Sequence, residues 1–122
     1  MMKAVLPYDP PPSIGRMIAD AGAGIVRIVR VPEGDADAVR RELGDADVLL
    51  HVLAPVTAAL MEAAPRLRLV QKIGVGVDAI DRDCARRRDV AVCNMPGTNT
   101  IAVAELTLGL MLAALRRVAA LD

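Results

Sequence analysis

The sequence predicts a doubly wound α/β domain, with a parallel sheet of about five strands that ends in a long apolar helix. Three observations carry that expectation. Short runs rich in β-branched residues alternate with stretches of helical character, the pattern of successive βαβ units. Proline or glycine punctuates most of these segments. The run from Asp47 to Leu53 is apolar on both faces, as a central strand covered by helices on both sides should be.

Lys3 to Leu6 forms the first strand, ended by Pro7. Pro10, Pro11 and Pro12 make a rigid loop, and Ser13 is placed to cap a helix that runs to about Ala21 and stops at Gly22 and Gly24. Ile25 to Val31 is the second strand, cut off by Pro32. A helix follows from about Asp35 to Leu43, with Gly44 after it. Asp47 to Leu53 is the third strand, and Thr57 caps a short helix ending near Pro65. Leu67 to Ile73 is the fourth strand, leading into a loop from Gly74 to Asp78. Asp81 caps a helix reaching about Arg88, and Val90 to Cys93 is the fifth strand. Met95 to Asn99 is a loop, and the long helix starts near Thr100. Parallel strands joined by right-handed crossovers give a flavodoxin-like sheet. Residues 1–99 then form one domain, and residues 100–122 an interdomain or dimerisation helix.

Composition narrows the function classes. The chain has 122 residues, which is one domain's worth. With 54% hydrophobic and 25% charged residues it folds around a core, and since Tyr8 is the sole aromatic that core is aliphatic. Fifteen basic and fifteen acidic residues cancel, so no net field draws nucleic acid, and aromatic stacking platforms are missing. Cys84 and Cys93 match no zinc or redox spacing, and no metal site is expected. With no secretory signal, both read as reduced thiols of a cytoplasmic protein. The stretch from Ile101 to Leu115 is too short for a membrane span and carries Glu105, so it reads as a buried helix.

That helix carries a message of its own. Between Leu106 and Leu115 only Thr107 and Gly109 interrupt the apolar residues. A sheet can cover one side of a helix, and a helix apolar all round needs a second surface: another domain or a second copy of the chain.

Ligands of doubly wound sheets bind outside the carboxyl ends of the strands. Three segments lie there: His51 with its neighbour Val52, the glycine loop 74–76, and the loop 96–99. Gly74-Val75-Gly76-Val77-Asp78-Ala79 matches a loose G-x-G-x-x-A dinucleotide fingerprint. The context argues against it, because the next helix opens only after Asp81 and the following strand ends on Asn94, which is not acidic. Two readings remain open: a nest of backbone N–H groups that holds a small anion, and a tight turn with no ligand.

From Arg66 onward the chain resembles the D-isomer-specific 2-hydroxyacid dehydrogenases, in a phosphoglycerate-dehydrogenase-like form. Leu67-Arg68-Leu69-Val70-Gln71-Lys72-Ile73-Gly74-Val75-Gly76-Val77-Asp78-Ala79-Ile80-Asp81 looks like that family's strand, glycine loop and helix cap. Val90 to Thr100 looks like its next strand and hinge loop, and Ile101 to Thr107 like the opening of its interdomain helix. The first 65 residues fit in layout alone.

The resemblance implies that this segment belongs to a flavodoxin-like substrate-binding domain of an oxidoreductase interconverting 2-keto and D-2-hydroxy acids. NAD or NADP would be bound mainly by a Rossmann domain that the sequence lacks. The catalytic Arg, Glu and His come from that later region, so no catalytic residue is assigned here and the chain alone is expected to be inactive. The implied substrate contacts are His51, Val52, Gly74, the N–H groups of Val75 and Gly76, and Asn99. Val75 and Val103 would approach the nicotinamide, and the helix from Thr100 would join a homodimer. The alternative is a stand-alone module, not an enzyme, that binds a small carboxylate or dimerises.

Other residues have plainer expectations. Lys72 either reaches the cleft mouth or pairs with an acid. Arg86, Arg87 and Arg88 form a solvated helix end that complements the dipole. Cys84 and Cys93 read as small packing residues, and Glu105 as a structural group with a buried partner. Asp89 stands where relatives carry a helix-ending glycine.

Overall fold

A computed structural model describes residues 1–118. It contains β1 (Met2–Pro7), α1 (Pro12–Gly22), β2 (Val26–Val31), α2 (Ala36–Leu43), β3 (Val48–His51), α3 (Ala58–Glu62), β4 (Leu69–Lys72), α4 (Arg82–Arg87), β5 (Ala91–Cys93) and α5 (Thr100–Leu115). All five strands are parallel, in the order β2-β1-β3-β4-β5. This is the flavodoxin-like order expected from the sequence.

The helix starts follow from local chemistry. Asp35, Thr57 and Asp81 each accept a hydrogen bond from the N–H three residues on, which satisfies a donor that the first turn leaves free. The start of α1 differs from expectation. Pro11 precedes the helix without a side-chain cap and Pro12 opens it, so Ser13 lies inside the first turn. Proline at the first position needs no N–H partner and presets the helical φ. β3 and β4 are shorter than expected, ending at His51 and Lys72, and Leu53 and Ile73 lie in loops.

Strand side chains alternate between faces. Val5, Leu49 and Val70 point to one side and pack against α2, α3 and α4 through Ala38, Leu43, Met61, Cys84 and Ala85. The other face is covered by α1 alone. An apolar groove of about 800 Å³ stays open there between α1 and Ala4, Val48, Leu50 and Leu69. At the amino edge of the sheet, buried Lys3 pairs with Glu42 at 2.8 Å and with Asp45, and its N–H donates to Asp47. Arg66 meets Asp47 at 3.2 Å, tying β4's approach to the same edge.

Several sequence expectations need correction. Cys84 is buried, but Cys93 on the edge strand β5 is exposed. Glu105 is exposed and has no ion pair among the described residues. Arg88 is not a solvated helix end like Arg86 and Arg87: it is half-buried and reaches the Ala64 carbonyl at 3.4 Å. Asp89 takes φ +56°, a conformation that favours glycine. The apolar helix spans Thr100–Leu115, and residues 119–122 of the expected helix lie outside the described residues. No residue of α5 is buried. No helix among the described residues is long and apolar enough to cross a membrane.

Candidate functional site at the carboxyl edge of the sheet

The strands β3, β4 and β5 end side by side, and the three loops that leave them are joined by hydrogen bonds. The Ile73 N–H donates to the His51 carbonyl at 2.8 Å, extending the pairing of β3 with β4 by one step. The Met95 N–H donates to the Gly74 carbonyl at 2.9 Å, and Asn94 Nδ2 donates to the Val75 carbonyl at 2.8 Å. Below the loops, Val56 and Ile80 form a parallel bridge through bonds of 2.8 and 2.9 Å. The glycine loop is therefore held from both sides.

Gly74 must be glycine for two reasons. Its φ is +147°, and a Cβ there would stand 3.1 Å from Lys72 Cε. Both Val75 and Gly76 are exposed. Their N–H groups donate to no backbone carbonyl among the described residues. Two adjacent N–H groups at the carboxyl end of β4 are thus without a backbone acceptor among the described residues. The Asp78 carboxylate lies on the same loop, 3.6 Å from where a Gly76 Cβ would be.

His51 is 1% exposed. Its Nε2 donates to the Ala54 carbonyl at 2.8 Å, and its buried Nδ1 has no partner. Because a carbonyl can only accept, the neutral ring carries its proton on Nε2. Burial pushes its pKa below the ordinary histidine value, and the Lys72 charge pushes the same way. The ring braces the loop 51–54 rather than facing solvent. Lys72, opposite His51 in the strand register, donates from Nζ to the Val52 carbonyl.

The structure thus brings together His51, Val52, Gly74, Val75 and Gly76. Asn99 precedes α5 and its side chain makes no capping bond, and Val103 sits half-exposed on that helix. Neither is bonded to the glycine loop among the described residues. Asn94 was not singled out by the sequence reading. An amide at the end of a strand, next to a glycine loop, is the signal that points to it. No cluster of metal-ligating side chains exists among the described residues. The loop does not fit a dinucleotide either. The helix α4 opens at Arg82, too far past Gly76 to present its amino terminus to a pyrophosphate.

Comparison with known proteins agrees with this layout. The chain is 44% identical over 78 residues to the D-3-phosphoglycerate dehydrogenase of Methanocaldococcus jannaschii, 63% of this chain and 15% of that protein. The structure of NAD⁺-bound 3-phosphoglycerate dehydrogenase from Entamoeba histolytica superposes with TM-score 0.76 at 26% identity, over 92% of this chain and 38% of that one. An NADPH-dependent glyoxylate/hydroxypyruvate reductase from Sinorhizobium meliloti, in complex with NADP and malonate, superposes with TM-score 0.73 at 27% identity, over 92% of this chain and 34% of that one. The chain therefore spans well under half the length of these relatives. With residues 5–120 matching its catalytic domain, the chain belongs to the D-isomer specific 2-hydroxyacid dehydrogenase family.

Proposed function

We propose that this chain is the substrate-binding part of a cytoplasmic oxidoreductase that interconverts a 2-keto acid and a D-2-hydroxy acid with NAD or NADP. One observation carries the proposal: two adjacent N–H donors, Val75 and Gly76, stand free at the carboxyl end of β4 in a loop held from both sides. Fixed donors of this kind bind a carboxylate without reorganisation. In this reading the chain's residues bind and orient: Val75 and Gly76 take the carboxylate, while Lys72 and His51 hold the neighbouring loop. Asn99 and Val103 would join the cleft from the interdomain side. The cofactor supplies the hydride and is held mainly by residues outside this chain, which on its own turns over no substrate.

The test is a titration of the ¹⁵N-labelled chain with glycolate, followed by NMR. The Val75 and Gly76 amide signals are expected to shift most. Shifts confined to other residues, or none at millimolar glycolate, would remove the reading.

A second feature supports a partner. Leu106, Leu108, Leu110 and Leu112 are each more than 60% exposed on α5. A solvent-facing apolar surface of that kind marks an interface, and a homodimer through this helix is the simplest occupant.

A further inference from the structure

We propose that the open face of the sheet beside α1 receives α5 of a second copy of this chain, and that the exchange is reciprocal. The inference rests on the homodimer reading above and names the surface that takes the helix.

The seat follows from topology. α2, α3 and α4 pack on one face of the sheet. α1 lies on the other, toward β2, where a Gly22 Cβ would stand 3.2 Å from Ile28 Cδ1. Beyond α1 on that face, Val48, Leu50, Leu69 and Ala91 of β3, β4 and β5 line the open groove. From β3 to β5 is two strand spacings, about 10 Å, the width of one helix. The groove's volume of about 800 Å³ matches about 20 Å of helix sunk to half its depth. The seat is therefore the size of one helix.

α5 is the matching helix. Leu108, Leu112 and Leu115 recur along it at helical spacing, each more than 60% exposed. No α5 residue is buried or packs on the core. The hinge before α5 holds it off its own sheet. The Met95 N–H donates to the Gly74 carbonyl and Thr98 Oγ1 to the Met95 carbonyl, both at 2.9 Å, and Gly97 takes φ +80°. A chain's own α5 could take the seat only by rebuilding that hinge. A partner's helix enters with the hinge unchanged.

Charge sets the direction. Asp47, Arg68 and Asp89 precede β3, β4 and β5, so the polar end of the groove is the amino edge. Glu105 is the only charge within α5, and Arg116 and Arg117 follow it. With its carboxyl end at the amino edge, α5 brings both arginines to Asp47 and Asp89. The reverse direction offers those acids only about half a charge from the helix amino terminus. Glu105 then lies about 15 Å back from Leu115, past the roughly 13 Å of a short strand, and stays in water.

Area decides that the exchange is reciprocal. Counted on helix and seat, one insertion buries about 600 Å², too little for a stable complex, whereas a pair buries about 1,200 Å², the lower end of the stable range. A two-fold pair also closes, where one-way insertion would propagate into a fibre.

The test is NMR on dimers formed from ¹³C-labelled and unlabelled chains, filtered for nuclear Overhauser contacts between chains. The Leu108 and Leu112 methyls are expected to meet those of Leu50 and Leu69 across the dimer. Leu69→Lys should weaken dimerisation at least about tenfold, since its charge reaches water only in the monomer. Arg116→Glu with Arg117→Glu should weaken it by roughly threefold. Contacts between chains confined to α5 against α5 overturn the inference and keep the homodimer. Contacts of α5 with Leu50 and Leu69 within one chain alone overturn it as well, and none of these readings needs a variant to fold. So does a Leu69→Lys chain that dimerises as tightly as the unmodified one. A chain that stays monomeric at millimolar concentration removes both the homodimer and the inference.

Discussion

Asn94 Nδ2 donates to the Val75 carbonyl at 2.8 Å, and that single bond joins the hinge loop after β5 to the loop that carries the free N–H donors. It fixes the peptide plane that follows Val75, and so the direction in which the Gly76 N–H points. Both residues are exposed, so the bond is worth little to global stability. Asn94→Ala is therefore expected to leave the thermal midpoint nearly unchanged and to weaken glycolate binding several-fold. Parallel melting and NMR titration check this. A large loss of stability with unchanged binding would show that the bond holds the fold and not the site.

Gly74→Ala tests the loop from the other side. The added Cβ meets Lys72 Cε at 3.1 Å, and the φ of +147° lies where side chains are rarely tolerated. Strain of this kind costs on the order of 1–3 kcal/mol. Chemical denaturation should show a lower midpoint with an unchanged slope. Binding should be lost as well, because relief of the strain must move either Lys72 or the nest.

Asp89 makes the opposite prediction. It sits at φ +56° just after α4, with its side chain exposed. Asp89→Gly removes the left-handed penalty and should stabilise the domain by about 0.5–1 kcal/mol, net of glycine's greater freedom in the unfolded chain. Urea unfolding of the two chains gives the sign directly.

His51 links stability to pH. Burial, with help from the Lys72 charge, lowers its folded pKa below the unfolded value near 6.5. The unfolded chain therefore takes up the proton first as pH falls. The contribution of the neutral ring is fully present above about pH 6.5 and is lost progressively below it, down through the depressed folded pKa. Unfolding midpoints measured from pH 8 to pH 5 should fall, and His51→Gln should flatten that part of the profile. Asp45 and Asp47, whose pKa values are lowered by their bonds to Lys3, act in the same direction but further down, below about pH 4.

The fold was legible because its signals are local. Asp35, Thr57 and Asp81 are caps by side-chain chemistry, and the strands are β-branched runs with turn residues around them. Ser13 misled for a local reason too: two prolines ahead of it set the backbone before a serine could. Strand ends were read long at Leu53 and Ile73 because hydrophobicity continues past the last regular strand residues, His51 and Lys72. At the site, the glycine loop and His51 could be placed on the correct edge from strand order alone. The Asn94–Val75 and Lys72–Val52 bonds could not, since they join residues 19 and 20 positions apart and depend on how two neighbouring loops turn. Cys93 and Glu105 were misjudged because residue type says nothing of whether an edge strand or a helix has found its partner.

α5 leads to the last prediction. Its 16 residues extend about 24 Å, and none is buried. Ile101, Leu108, Leu112 and Leu115 are each more than 60% exposed, and the helix has no polar face to turn toward water. A helix that is apolar all round is stable only when covered. If this surface is an interface between copies, light scattering should show a defined dimer that dissociates on dilution. Leu108→Glu with Leu112→Glu should then yield a monomer whose sheet still melts cooperatively, because the domain core lies in β1–β5 and α2–α4 and does not involve α5. A chain that stays monomeric at high concentration would exclude self-association and leave the helix to a different polypeptide. Polydisperse aggregation, with the double variant still aggregating, would instead put the exposed apolar surface at the open groove beside α1, where Val48, Leu50 and Leu69 line a face that only one helix covers.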